Sequence, residues 1–131
     1  MICRRNLVLA LLALPPLFAS PPAFAAEKDD YSVAAFDTAQ KAGKSILVEI
    51  QATWCPTCRA QAPILSQLES DPKYSSLVVF HIDFDKQKDA VRRFGARMQS
   101  TLVVFKGSVE TGRSVGDTNP DSIAALLAKT L

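Results

Sequence analysis

An apolar run that ends just before two closely spaced cysteines constrains this chain more than any other feature. Residues 45–51 have the sequence Ser-Ile-Leu-Val-Glu-Ile-Gln, a pattern typical of a buried strand. Cys55 and Cys58 follow, and residues 59–68 carry apolar side chains at helical spacing. Residues three apart share one face of a helix's first turn, so the two sulfur atoms are able to meet as a disulfide. We therefore predict a strand-to-helix junction with a dithiol at the start of the helix.

The start of a helix also favours a reactive sulfur. Its first N–H groups lack partners within the helix, and the helix dipole is positive at this end. Both effects favour the thiolate of Cys55, which is the attacking species in disulfide exchange. We expect Cys55 to attack from the exposed helix end, and Cys58, one turn further and more buried, to resolve the mixed disulfide. The alternatives are an inert structural bridge and a zinc site, although zinc usually takes four ligands.

The first 25 residues have the pattern of a secretory signal peptide. Arg4 and Arg5 precede an apolar stretch over residues 7–18, and residues 23–25 supply an Ala-x-Ala cleavage signal. We expect cleavage after residue 25, which leaves a periplasmic domain of residues 26–131. The alternative is an uncleaved anchor that faces the periplasm, but the apolar stretch is shorter than the roughly 20 residues that a spanning helix needs.

Charge and cysteine content narrow the functional classes. The chain has 15 basic and 13 acidic residues, and removal of Arg4 and Arg5 leaves residues 26–131 formally neutral. Neutrality argues against nucleic acid or an anionic membrane surface as the main partner. Cys55 and Cys58 are the only cysteines in that segment. A disulfide that closes so short a loop removes little entropy from the unfolded chain and therefore stabilises the fold little. Such a pair is more typical of redox cycling than of a structural bridge.

The remaining pattern predicts one α/β domain. Helices are expected over residues 31–42, 55–69, 86–94 and 120–129, and strands over 45–51, 77–83, 101–105 and 109–115. Residues 27–30 are polar, and we expect them to be frayed. Strands that lead into helices favour parallel pairing, whereas the turn at 106–108 favours an antiparallel hairpin. The prediction is a mixed sheet of about four strands with helices on both faces.

Together, the junction, a proline within the following helix and the later hairpin make the chain resemble the thioredoxin superfamily over residues 36–131. The matching segments are residues 47–59, Pro63, residues 93–97 and residues 101–107. The resemblance implies a thioredoxin-like fold and thiol:disulfide oxidoreductase activity without a cofactor. Residues 52–60, Ala-Thr-Trp-Cys-Pro-Thr-Cys-Arg-Ala, further resemble the periplasmic thioredoxins of cytochrome c maturation, which are dedicated reductants.

The resemblance also implies partners and a direction of electron flow. The expected partners are exported proteins with cysteine residues, apocytochromes among them, and a membrane thiol reductase that supplies electrons to a monomeric protein. Thr57 is neutral and lacks the positive charge of the histidine found there in strong oxidants, which favours the reducing direction. Two alternatives remain: a disulfide donor that oxidises new cysteines, and a metal-handling module that uses Cys55 and Cys58.

Two further residues are candidates for proton transfer. Glu49 is the only carboxylate in the strand before the cysteines, and burial should raise its pKa. By resemblance, Glu49 takes and returns the proton of Cys58, and the alternative is a partly exposed residue on an edge strand. His81, the only histidine, is expected on the next strand, where related proteins often carry a lysine that pairs with the buried acid. It is a candidate proton relay, with an ordinary hydrogen-bonded core histidine as the alternative.

Five residues are candidates for substrate binding: Trp54, Pro56, Thr57, Ser100 and Thr101. Trp54 is expected to shield the dithiol and to offer a flat apolar surface, with plain packing as the alternative. Pro56 suits the first position of the helix. Ser100 stands where thioredoxin relatives place a cis-proline that faces the dithiol. A cis bond before serine costs about 3 kcal/mol, so we expect a trans bond and a Ser100 hydroxyl able to bond a sulfur.

Overall fold

A five-stranded mixed sheet forms the centre of the computed structural model, which describes residues 26–131. The predicted signal peptide, residues 1–25, lies outside the described residues. In chain order the elements are β1 (Glu27–Asp30), α1 (Val33–Lys41), β2 (Ser45–Gln51), α2 (Pro56–Glu69), a short 3-10 helix (Pro72–Tyr74), β3 (Leu77–Asp83), α3 (Lys88–Arg93), β4 (Thr101–Lys106), β5 (Val109–Val115) and α4 (Pro120–Ala128). Each helix end lies within two residues of its predicted position.

The strand order is β1-β3-β2-β4-β5. β1 and β2 both run parallel to β3, whereas β4 is antiparallel to β2 and pairs with β5 as a hairpin. The predicted mixed sheet, its parallel pair and its hairpin are therefore confirmed. β2 is the middle strand of the sheet, so the cysteine pair that follows it lies at the C-terminal end of the central strand.

The prediction that residues 27–30 are frayed is wrong. Glu27–Asp30 form an edge strand parallel to β3, in register from Glu27 opposite Val78 to Asp30 opposite His81. All four side chains are exposed, so the segment has no apolar alternation that a sequence pattern would detect. Backbone hydrogen bonds hold the strand instead, and the buried Tyr31 that follows anchors its end in the core.

Two apolar clusters cover the two faces of the sheet. Ile46, Val48 and Ile50 of β2 belong to the cluster that also contains residues of α1 and α3. Leu47 points to the opposite face, in the cluster that contains residues of α2 and α4. Since side chains alternate along a strand, Glu49 lies on the α2 face as well. The fold thus brings the one acidic residue of β2 under the helix that carries the cysteines.

Among residues 26–131, no helix combines the length and the apolar character that crossing a membrane requires.

Candidate active site

Cys55 and Cys58 form a disulfide at the N-terminal end of α2, with their Cα atoms 5.3 Å apart. Cys55 is the N-cap residue, and its Sγ accepts a hydrogen bond from the backbone N–H of Cys58 at 3.1 Å. Pro56 fills the first helical position, where a missing N–H breaks no intrahelical bond. The predicted junction is confirmed, and a backbone donor of the first turn is directed at the first sulfur.

The prediction that Cys55 is the more exposed cysteine is wrong for this disulfide form. Cys55 is 0% exposed and Cys58 is 8% exposed. Cys55 packs in a small cluster with Ala52, Cys58 and Phe84. The hydroxyl of the buried Ser100 lies within hydrogen-bond distance of the Cys55 sulfur. The position of Cys55 at the helix end could be predicted from the sequence. Its burial could not, because it depends on contacts with residues that are distant in the chain.

Cys58 instead lines an open cavity of about 380 Å³. The cavity lies where β2 and β3 end, and Gln51, Arg59, His81 and Asp83 also line it. Solvent therefore reaches the disulfide from the side of Cys58, through a cavity that His81 also lines.

Ser100 lies between the two sulfur atoms and the start of β4. Its Oγ is 3.1 Å from Cys55 Sγ and 3.3 Å from Cys58 Sγ, and the residue is 2% exposed. Residues 26–131 contain no cis peptide bond, so the expectation of a trans bond before Ser100 is confirmed. The sequence predicted a contact between the Ser100 hydroxyl and one sulfur atom. In the structure the hydroxyl lies within hydrogen-bond distance of both Cys55 Sγ and Cys58 Sγ.

Gln61 of α2 holds the loop that carries Ser100. Its Nε2 donates to the carbonyl oxygens of Ser100 at 3.3 Å and of Asp117 at 2.8 Å. The Gly116 N–H donates to the same Ser100 carbonyl at 3.0 Å. Gln61 was not a candidate residue, although one signal was available: its helical spacing from Cys58 and Leu65 places a polar side chain on the buried face of α2.

Glu49 is buried on the middle strand, so the alternative of a partly exposed residue at a sheet edge is wrong. Burial, together with the neighbouring Glu69 carboxyl, raises the pKa of Glu49 to about 8, and Lys28 opposes the rise. The predicted rise in the pKa is thus confirmed, and Glu49 carries a proton at neutral pH in the disulfide form.

Glu69 and Lys28 extend this site to the sheet edge. Glu69 is the last residue of α2, is 3% exposed and forms an ion pair with Lys28 of β1. Neither was a candidate residue. Glu69 lies four residues after Leu65 on the buried helix face, which is a detectable signal, whereas Lys28 belongs to the strand without an apolar pattern.

His81 lies beside Glu49, as its proposed relay role requires. The two residues are paired in register across β2 and β3, and His81 Nδ1 is 3.4 Å from Glu49 Oε2. Gln51 Nε2 donates to the same Nδ1 at 2.7 Å, which leaves the ring proton on Nε2 in the neutral form. Burial, aided by Lys28, lowers the pKa of His81, so the ring is neutral at pH 7.

The candidate substrate-binding residues divide into exposed and buried ones. Trp54 is 54% exposed, and its Nε1 donates to Asp85 Oδ2 at 2.7 Å, so a plain packing role does not fit it. Pro56 is exposed and Thr57 is partly exposed. Thr101 is buried, and its hydroxyl donates to the Met98 carbonyl at 2.7 Å. The Thr101 side chain thus holds the segment before β4, and the role of Thr101 in substrate binding stays a prediction.

Within residues 26–131, no three or more His, Cys, Asp or Glu side chains converge to hold a metal ion.

Known proteins similar to this chain form a consistent group. A family model described as Thioredoxin matches residues 28–129. Thioredoxin H4 of Arabidopsis thaliana is 31% identical over 94 residues, which cover 72% of this chain and 78% of that protein. A thioredoxin of Chlamydia muridarum is 32% identical over 84 residues, which cover 64% and 80% of the two chains. The crystal structure of Trxlp from Edwardsiella tarda EIB202 matches with a TM-score of 0.75 at 39% identity, over 77% of this chain and 98% of that one.

Proposed function

The chain belongs to the thioredoxin family and is a thiol:disulfide oxidoreductase with a Cys55–Cys58 pair, and from this premise we propose that it is exported and reduces disulfides in periplasmic proteins. Proteins of this family act on protein substrates that contain cysteine. The observation that carries the proposal is the dithiol capping α2, with the Cys58 N–H directed at Cys55 Sγ. The signal-peptide pattern of residues 1–25 supports export, and the neutral Thr57 supports the reducing direction.

The proposed cycle moves two electrons to the substrate. The Cys55 thiolate attacks a substrate disulfide, so a Cys55–substrate bond forms, the substrate S–S bond breaks, and one substrate thiolate leaves and takes a proton. The Cys58 thiolate then attacks Cys55 Sγ, which closes the Cys55–Cys58 disulfide and releases the second substrate thiolate. A membrane thiol reductase reopens the disulfide by the reverse exchange, with the protein acting as a monomer.

Glu49 is the proposed acceptor of the Cys58 proton before the resolving step. Its pKa of about 8 is close to that of an ordinary thiol, so a proton passes between the two groups in either direction at little cost. In the disulfide form Glu49 holds that proton, ready to return it to the Cys58 thiolate. His81 connects Glu49 with the cavity that Cys58 lines, which supports its role as a relay.

Trp54 is the proposed contact surface for the substrate, because it precedes Cys55 and is more than half exposed. Cys55 has no exposed surface in the disulfide form. Cys55 Sγ therefore has to become accessible in the reduced protein before a partner's disulfide reaches it.

Covalent trapping tests the proposed activity. The Cys58→Ser variant, expressed as the full chain in its own envelope, should accumulate mixed disulfides between Cys55 and exported proteins, released by added reductant. The matched Cys55→Ser variant should trap few or none. Recovery of no partners with Cys58→Ser, or of more partners with Cys55→Ser, would overturn the assignment of Cys55 as the attacking thiol.

Fractionation of the same cells tests the location. The expected product begins at residue 26 and is released with the periplasmic contents, and an intact N-terminus in the cytoplasmic fraction would reject export. The resemblance of residues 52–60 to the thioredoxins of cytochrome c maturation makes apocytochromes the first substrates to examine among the trapped proteins.

A disulfide-donor function is the second candidate, and Ser100 favours it. A hydroxyl that stabilises a thiolate stabilises the reduced protein and makes the couple more oxidising. A measured reduction potential well above about −180 mV would reject the reductant assignment in favour of this one.

A further inference from the structure

We propose that Ser100 is a catalytic residue whose hydroxyl is one hydrogen-bond donor shared by Cys55 Sγ and Cys58 Sγ, bonded in turn to whichever sulfur carries negative charge. The inference rests on the proposed exchange chemistry of the same dithiol. Its basis is the pair of distances, 3.1 Å and 3.3 Å, from one buried Oγ to both sulfur atoms.

The chemistry of sulfur explains why the hydroxyl acts as the donor in the reduced protein. A disulfide sulfur accepts hydrogen bonds only weakly, whereas a thiolate accepts a strong, charge-assisted one. The hydroxyl has a single proton, so it donates to one sulfur at a time. Because Ser100 is 2% exposed, water competes little for this bond, and the low local dielectric strengthens it.

The backbone holds the hydroxyl in place at a conformational cost. Ser100 has a φ of 62°, and it is the only residue other than glycine among residues 26–131 with a positive φ. Such a conformation is strained for a residue with a Cβ atom and persists only where the surroundings enforce it. Gln61 Nε2 and the Gly116 N–H both donate to the Ser100 carbonyl and enforce it here. A glycine at position 100 would adopt this φ without strain, but it would lack the hydroxyl. The strained serine is therefore consistent with a role for its hydroxyl.

The donor serves each half of the cycle without transferring its own proton. When the Cys55 thiolate attacks, its bond to the substrate sulfur forms and the substrate S–S bond breaks, while Ser100 holds the thiolate until that bond forms. When an electron donor's thiolate attacks Cys55 Sγ, the Cys55–Cys58 bond breaks and Cys58 leaves as a thiolate. Ser100 then bonds Cys58 Sγ until Glu49 protonates it.

The test is the pH dependence of Cys55 alkylation by iodoacetamide in the reduced full chain. Ser100→Ala should lower the rate at pH 6 about tenfold, because a lost bond to a charged group reduces the thiolate fraction. Ser100→Thr, which keeps a hydroxyl, should lose less. Ser108→Ala, which removes a hydroxyl from the exposed turn before β5, should change nothing.

Ser100→Gly separates the hydroxyl from the backbone, because glycine accepts a φ of 62° without strain. It should show the same tenfold loss as Ser100→Ala, and it carries the test alone if Ser100→Ala fails to fold. An unchanged alkylation profile in Ser100→Gly would overturn the proposal. The same tenfold change should make the couple more reducing by about 30 mV against glutathione. Alkylation needs no protein substrate, so its outcome is independent of whether the trapping experiment recovers reduced partners.

Discussion

Glu69 at the C-terminal end of α2 forms an ion pair with Lys28 of the edge strand β1. The cysteines lie at the N-terminal end of α2, and this ion pair ties its other end to β1. Glu49 is buried on the face of the sheet that α2 covers. Glu69 raises the pKa of Glu49, and Lys28 lowers it. The proton affinity of the proposed base is therefore adjusted by two residues far from the sulfur atoms.

Replacement of Lys28 should raise the pKa of Glu49 above about 8, because it removes the nearby positive charge. Carboxyl NMR titration of Lys28→Met checks this, with Lys28→Arg as the control that keeps the charge. Lys28→Met should also lower the free energy of unfolding by about 2 kcal/mol, since it leaves the buried Glu69 without its cation. An unchanged Glu49 titration in Lys28→Met would contradict the coupling.

Replacement of Glu49 should stabilise the folded protein in a pH-dependent way. The folded chain binds the Glu49 proton more tightly than the unfolded chain, so this group makes stability fall as pH rises from about 4.5 to about 8. Glu49→Gln removes this pH dependence. The increase in the free energy of unfolding that it causes should be larger at pH 8 than at pH 5, by on the order of 3 kcal/mol. Urea unfolding at both pH values measures it, with the exposed Glu27→Gln as control. Equal effects of Glu49→Gln at the two pH values would count against the raised pKa.

Glu49→Gln should also slow the resolving step. The lifetime of a mixed disulfide between Cys55 and a model substrate should increase about tenfold or more, because Cys58 loses its proton acceptor. Stopped-flow release of the substrate thiol measures the rate, and the loss should be smaller at a pH above that at which Cys58 ionises unaided. A rate equal to that of the unaltered protein at pH 7 would remove Glu49 from the mechanism.

Replacement of Gln61 should destabilise the loop that carries Ser100. Gln61→Leu leaves the buried Ser100 carbonyl with one donor fewer, which should cost about 2 kcal/mol of unfolding free energy. Gln67→Leu, at an exposed position of the same helix, is the matched control and should cost little. Thermal and urea unfolding decide between them, and similar losses in both variants would contradict the assigned role of Gln61.

Replacement of Trp54 should weaken the use of protein substrates without affecting stability. Trp54→Ala should raise KM about tenfold, in line with the loss of an exposed aromatic contact, and should leave the unfolding free energy nearly unchanged because Trp54 is 54% exposed. Trp54→Phe keeps a flat ring and should retain most of the affinity. A KM for Trp54→Ala that matches the unaltered protein would exclude Trp54 from the contact surface.

Local patterns in the sequence determined most of the fold. The apolar run of β2, the helix that begins at Pro56 and the hairpin of β4 and β5 each depend on side-chain periodicity and turn residues within a short segment. The burial of Glu49 was predictable for the same reason, since a carboxylate in an otherwise apolar strand must share the burial of its neighbours.

Only the tertiary structure decided what surrounds the sulfur atoms. β1 is held by backbone pairing with β3, and its exposed side chains carry no periodic signal. Cys55 is covered, and both sulfurs are reached by one hydroxyl, because Gln61 and Gly116 hold the Ser100 backbone against them. These contacts join segments that are far apart in the chain. Periodicity identifies which face of an element is buried, but the loop that packs against that face depends on how the elements assemble.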